Sequence, residues 1–207
     1  MKVYLVRHGE SFANAEDRWQ NDSLDGLTGK GRLQAEAAAG YLIGQGLKAV
    51  YSSPKKRALQ TSGIIAGKVG CNVRVVQEFR DTDFGVLGGM RLDGSDCSDG
   101  IRRIIAKRQK DKIRYRPPGG ESFEDVKKRC VPAMKRILAG EKDEGSIAIV
   151  AHLYPNVLMI GYMIGLGMEE CYMIRQPNDL IYVIDSSDKK TSYFWNGVMH
   201  EGLLLKS

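Results

Sequence analysis

The feature that most constrains the fold is the way short apolar runs alternate with helix-patterned stretches. Val3–Val6, Ala49–Ser52 and Ile147–Ala151 are short and apolar, as buried parallel strands are, and Val73–Val76 is β-branched and strand-like. Between them, Thr28 can cap a helix running to about Gln45, with Leu33, Ala37 and Tyr41 at helical spacing on one face. Ser53-Pro54 starts a second helix, to about Lys68, where a proline tolerates the first helical position because its missing N–H would be unpaired anyway. Ser122 with Asp125 makes a capping-box start for a helix to about Ala139, and Pro155-Asn156 opens another. Ile181–Ile184 and Ser192–Trp195 read as late strands. Strand and helix in turn, without an internal repeat or a linker, predict an α/β fold: one domain over 1–207, a three-layer α/β/α sandwich around a mostly parallel sheet. Periodicity fades between about 81 and 120, which predicts a lid insertion over that sheet.

Several function classes fall away at once. The longest apolar stretch, Val157 to Met168, is 12 residues long, short of the roughly 18 that a membrane span needs. Only four consecutive apolar residues stand in the first eight, too few for a secretory leader. The cysteines at 71, 97, 130 and 171 lack the close pairing of a zinc site or a small disulfide scaffold, so a cytoplasmic setting is expected.

Two of the three histidines stand at predicted strand ends: His8 after Val3–Val6 and His152 after Ile147–Ala151. In open α/β sheets the ligand site lies beyond the carboxyl ends of the strands. Arg7 adjoins His8, and Arg57 falls just inside the helix after the second strand. Guanidinium groups match phosphate oxygens with planar forks of donors, so this set could surround a tetrahedral dianion. Taken one at a time, each histidine also reads as a structural residue, and Arg57, beside Lys55-Lys56, as part of a solvated helix face.

The run Leu5-Val6-Arg7-His8-Gly9-Glu10-Ser11, followed by Asn14, resembles the signature of the histidine phosphatase superfamily, the phosphoglycerate-mutase-like proteins. The resemblance continues in Leu27-Thr28-Gly29-Lys30-Gly31-Arg32, in Tyr51-Ser52-Ser53-Pro54-Lys55-Lys56-Arg57-Ala58, in Gly119-Gly120-Glu121-Ser122-Phe123 and in Val150-Ala151-His152, in the family's order. It implies that His8 is the nucleophile that attacks phosphorus, and that Arg7, Arg57, His152, Asn14 and the backbone N–H of Leu153 hold the phosphoryl oxygens. It also implies catalysis without a metal or other cofactor on a small phosphorylated substrate. The family's acid is a glutamate two residues before an aromatic-glycine pair. Here Arg80-Asp81-Thr82-Asp83-Phe84-Gly85 puts Asp81 in that place, one methylene shorter, with Glu78 and Asp83 as rivals. Gly9 fits a close backbone approach to the ligand, or a simple turn.

The chain departs from the family after the second histidine, where His152-Leu153-Tyr154-Pro155 replaces the usual glycine. It departs again at Val86-Leu87, where the family's phosphatases often carry an acid. The resemblance implies a phosphomonoester hydrolase working through phosphohistidine. The alternatives are a cofactor-dependent phosphoglycerate mutase, which runs the same first half-reaction, and a catalytically impaired phosphate-binding member. His200 has no motif around it and reads as a surface or packing residue.

The formal charge of +6 comes from one place. Arg102–Arg116 holds eight Lys+Arg and one acid, a net +7, which leaves −1 for the rest of the chain. Ile101, Ile104, Ile105 and Arg108 can share a helical face with the other cations outward. An electropositive lid that gathers anionic substrate, contact with nucleic acid or an anionic surface, and a plain solvated face all fit this segment. Nucleic acid is the weakest of these, because only Tyr115 could stack a base.

Overall fold

A computed structural model describes residues 1–141 and 145–206. Seven strands, β1 Lys2–Arg7, β2 Leu47–Ser52, β3 Asn72–Val75, β4 Ser146–Ala151, β5 Ile181–Asp185, β6 Thr191–Trp195 and β7 Val198–Glu201, form one sheet in the order β3-β2-β4-β1-β5-β6-β7. The first four of that order are mutually parallel, and β5, β6 and β7 add on as an antiparallel edge. The sheet is therefore mixed, with the expected parallel core.

Alternation along the buried strands feeds two cores. Val3, Leu5, Ile147 and Ile149 face one side, with α5 Phe123–Gly140 and α6 Leu153–Ile164, while Tyr4, Val6, Ala148 and Val150 face the other, with α2 Gly29–Leu42 and α3 Lys56–Val69. Complete burial on both faces is why these segments read as unbroken apolar runs. Capping is as expected at two helices: Thr28 accepts from the Gly31 N–H, and Ser122 and Asp125 close a reciprocal box.

Helix α2 buries Gly31, Ala35, Ala39 and Leu42, whereas on the face shared by Leu33, Ala37 and Tyr41 the first two are exposed and Tyr41 is half-buried, because small residues let α2 pack against α3. Two local expectations are corrected. Helix α3 begins at Lys56, after Pro54, because the Asp25 carboxylate accepts from the Lys56 and Arg57 N–H groups and supplies the missing cap. Helix α6 begins at Leu153, directly after His152. Besides these, β7, the short α1 Phe12–Ala15 and α7 Met168–Met173 lacked a readable sequence pattern.

The topology places the site. The connection from β1 leads through α2 toward β2, while β4 leads through α6 to β5 on the other side of β1. The chain thus leaves β1 and β4 toward opposite faces, and a crevice opens between their carboxyl ends. In register, Arg7 lies opposite Ala151, and the His8 N–H donates to the Ala151 carbonyl at 3.0 Å. His8 and His152 are consequently neighbours at the end of the ladder. Gly9 is required for a reason other than ligand approach: a Cβ there would lie 2.1 Å from the Gly31 carbonyl oxygen, where the loop after β1 crosses the first turn of α2.

The segment from 81 to 120 carries α4 Asp99–Lys110, capped by Ser98, and a small core of its own formed by Leu87, Cys97 and Ile105. It is tied down at both ends. Gly85, at φ +53, packs so closely on the 118–120 backbone that a Cβ would meet the Pro118 carbonyl at 2.1 Å, and the Glu121 N–H donates to the Asp83 carbonyl at 2.7 Å.

Candidate active site

His8 and His152 are both buried, with ring centroids 5.1 Å apart. The His8 Nδ1 lies 2.8 Å from the Gly9 carbonyl, an acceptor, so this nitrogen carries the proton and Nε2 keeps a free electron pair. The Arg57 Nε donates to that Nε2 at 3.3 Å. Burial, followed by the charge of Arg57, the neighbouring His152 ring and the charge of Arg7, holds the imidazole well below the usual histidine range. His8 is thus a neutral ring with its unprotonated nitrogen turned toward the guanidinium groups, the state a nucleophile needs.

Arg57 is the hub. Its Nη1 donates to the Asp25 Oδ1 at 2.8 Å and its Nη2 to the Asp81 Oδ2 at 2.6 Å, with the side chain 1% exposed. A buried guanidinium between two carboxylates is held in one orientation, which fixes where its Nε points. Arg7 Nη1 donates to the Gln176 carbonyl at 2.9 Å, while its Nε is buried without a partner among the described residues. Loss of solvation lowers Arg7 to about 10, with Asp81 opposing that shift and Arg57 adding to it.

His152 Nε2 lies 2.7 Å from the Ser53 Oγ. Its Nδ1 is 3.4 Å from the Asp81 Oδ2, without hydrogen-bond alignment. Burial and then Arg57 and Arg7 keep this ring neutral as well. The Asn14 Oδ1 accepts from the Ser11 N–H at 3.2 Å and the Ser11 Oγ at 3.1 Å, and both Asn14 and Leu153 line the cavity. Leu153 opens α6, where first-turn N–H groups lack intrahelical partners.

The cavity, about 260 Å³, is lined by Arg7, His8, Asn14, Asp81, His152 and Leu153, and by Arg18, Trp19, Gln20, Phe84, Leu92 and Tyr154. Every residue expected at the site from sequence is therefore at this cavity or, like Arg57, bonded to its floor. Of the three candidate acids only Asp81 reaches it. Asp83 caps the Gly85 N–H at 2.8 Å and lines an adjoining cavity, and Glu78 is paired with Arg136 on the surface. Ser53 stands inside the motif that follows β2 but was given no role at the site, and sequence reasoning missed Asp25, Gln176 and Asn178, whose Nδ2 donates to the His8 carbonyl at 2.7 Å. Each of these three lies in a loop or turn with no local pattern around it.

His8, Asp81 and His152 offer three ligating atoms within 4.8 Å of one another. Arg57, however, donates to both His8 Nε2 and Asp81, and Arg7 adjoins them, so two guanidinium charges stand where a cation would have to bind. The donor set suits an anion.

A linked pH dependence follows. His8 and His152 stay neutral in the fold at pH values where the unfolded chain, with an ordinary histidine pKa of about 6.5, binds protons. Below that pH the unfolded state binds more protons, so stability falls with pH, by up to about 1.4 kcal/mol per pH unit for each histidine. Urea unfolding between pH 7.5 and 5 should show this loss, reduced by saturating inorganic phosphate, whose negative charge offsets that of Arg7 and Arg57. A flat profile would contradict the buried neutral pair.

With this geometry in place, comparison with known proteins is decisive. The model of the histidine phosphatase superfamily, branch 1, matches residues 3–196. This chain belongs to that superfamily. Among relatives by sequence is an Enterobacter sp. (strain 638) protein named "Probable phosphoglycerate mutase GpmB", 34% identical over 187 residues, covering 89% of this chain and 85% of the relative. Among solved structures, the α-ribazole phosphatase from Shigella flexneri superposes with a TM-score of 0.80 at 21% identity, covering 100% of this chain and 96% of that one. Mycobacterial glucosyl-3-phosphoglycerate phosphatase does so with a TM-score of 0.76 at 26% identity, over 98% and 96%. As a histidine phosphatase superfamily member, the chain is an enzyme of the phosphatase or phosphoglycerate mutase type. Among the described residues, no helix is long and apolar enough to cross a membrane.

Proposed function

We propose that the protein is a metal-independent phosphomonoester hydrolase acting on a small phosphorylated substrate. The His8 Nε2 attacks phosphorus in line with the leaving oxygen, the P–O ester bond breaks, and Asp81 in its protonated form gives its proton to the departing alkoxide. Arg7, Arg57, His152, Asn14 and the Leu153 N–H hold the phosphoryl oxygens. Asp81 then takes a proton from the water that hydrolyses the phosphohistidine, which restores His8 and releases phosphate. Phosphoryl transfer needs little from a protein beyond this positioning and charge stabilisation.

The observation that carries hydrolase over mutase is the pairing of the surrounding cations. A phosphoglycerate mutase must retain a bisphosphorylated, carboxylated intermediate, which needs cations for a second and a third anionic group. Beyond the phosphate floor, Arg18 is tied to Glu16 and Asp96, Lys55 to Asp22 and Arg80 to Glu121. None of the eight cations of 102–116 is among the residues that line either cavity.

The test is to incubate the protein with a panel of phosphate esters, and with phosphoglycerates plus a bisphosphate primer, while measuring free phosphate and isomer conversion. Phosphate release without isomerisation is expected. Isomerisation with little release would support the mutase reading that the names of the sequence relatives suggest. Silence in both assays, with phosphate still bound, would mark an impaired member.

A further inference from the structure

Beyond the phosphate floor, the catalytic cavity is walled by Trp19, Phe84, Leu92, Leu153 and Tyr154, and Leu92 is 45% exposed at its mouth. The aromatic wall comes from three separate parts of the chain. Trp19 follows α1, Phe84 belongs to the 81–120 segment, and Tyr154 stands in the first turn of α6. The Trp19 and Phe84 rings are tilted at 4.8 Å, and Phe84 and Tyr154 meet edge-on at 6.5 Å.

Behind this wall lies Arg108, 8% exposed, which with Ile105 is buried on the inward side of α4. Its guanidinium is 4.7 Å from the Trp19 ring, 5.7 Å from Phe84 and 5.9 Å from Tyr154, and its Nη2 donates to the Tyr154 hydroxyl at 2.8 Å. One side chain thus bridges all three aromatic segments by cation–π contact and a hydrogen bond. Arg108 is absent from the cavity lining, so it acts on the rings and not on a ligand.

We propose that the leaving group of the natural substrate is an uncharged apolar or aromatic alcohol seated against Trp19, Leu92, Leu153 and Tyr154, and that Arg108 is the positioning residue that sets this preference. Three physical arguments support it. An aromatic ring gains from burial and from edge or offset stacking on such a wall. A carboxylate or second phosphate would be desolvated there without a cation to touch, because Arg18, which lines the cavity with Arg7, is already paired with Glu16 and Asp96, and Arg108 is screened from the cavity by the rings it holds. A wall assembled from three segments keeps its shape only if something links them, and Arg108 is that link.

Part of the test is independent of turnover; only its hydrolysis arm rests on the hydrolase reading. In a Trp195→Phe background, Trp19 is the remaining tryptophan, and its fluorescence can report titration with phenylphosphonate and with phosphonoacetate. Phenylphosphonate should bind at least about 10-fold more tightly; equal or reversed affinities overturn the proposal. In the hydrolysis arm, kcat/KM for phenyl phosphate should exceed that for 3-phosphoglycerate by a similar factor. If the phosphonates bind in the expected order but neither ester is cleaved, the hydrolase reading fails and the subsite stands. If both esters are cleaved equally well, the subsite fails and the hydrolase reading stands.

Arg108→Gln should remove most of the aryl preference while changing kcat/KM for methyl phosphate less than about threefold, and Arg108→Lys should restore part of it. An equal loss on both esters would mean that Arg108 serves stability alone. Should Arg108→Gln fail to fold, Leu92→Lys at the exposed mouth provides the second readout. It should shift preference toward phosphonoacetate, and an unchanged ratio would show that the leaving group lies elsewhere.

Discussion

Replacing His8 with alanine should lower kcat on any hydrolysed ester by at least about 10⁴-fold, because the covalent path disappears with the nucleophile. What remains, Arg7, Arg57, His152 and Asn14, can still bind a phosphate dianion, so affinity for inorganic phosphate should change far less than rate. The intermediate gives a second readout. With a ³²P-labelled ester, protein quenched in base should carry acid-labile label in the wild type and none in His8→Ala. The same variant should lose part of the acid-side destabilisation, since one of the two buried neutral rings is gone. Full activity in His8→Ala, or label that persists in it, would remove His8 from the mechanism.

Asp81→Asn should slow turnover by about 10²- to 10⁴-fold, the range a positioned general acid contributes, while Glu78→Gln changes it little. The contrast separates chemistry from architecture. Asparagine keeps one oxygen, which can accept from Arg57 Nη2 in place of Asp81 Oδ2 at 2.6 Å, and Asp25 continues to pair with Arg57, while the Thr82 N–H loses its acceptor, now Asp81 Oδ1 at 2.8 Å. Thermal stability should therefore fall by little more than one hydrogen bond, about 1 kcal/mol. Leaving groups sort the effect further: an ester of an acidic phenol needs no proton, so its rate should fall least, and an alkyl ester's most. Equal rates for Asp81→Asn and Glu78→Gln on an alkyl ester would exclude Asp81 as the acid.

Much of this site is legible in the sequence because it depends on strand ends. A buried strand declares itself by composition, so the residue after Val3–Val6 and the residue after Ile147–Ala151 are located once the strands are. Parallel pairing in register then brings His8 and His152 together. Arg57 is similarly fixed by its place in the first turn of a helix after a strand. Resemblance to the family added the role proposed for Asp81, which no periodicity marks.

Which face of α2 turns inward is not legible from spacing for a physical reason: a helix has two faces, and the larger residues do not always take the inner one. Alanines at 35 and 39 went inside because two helices pack closely over the sheet. The net charge was informative in the same limited way. It located the cation excess in one segment, but not which cation turned inward.

The sequence by itself determined the strand–helix alternation, the two strand-end histidines, the adjoining arginines and the confinement of positive charge to 102–116, because each is encoded by neighbours within a turn or a strand. Only the tertiary structure decided what those charges do. Asp25 and Asp81 meet Arg57 across 32 and 24 residues, and Arg108 meets Tyr154 across 46. Such pairings depend on where the folded chain returns, and on the loss of water that makes a buried charge seek a partner, which no local pattern records.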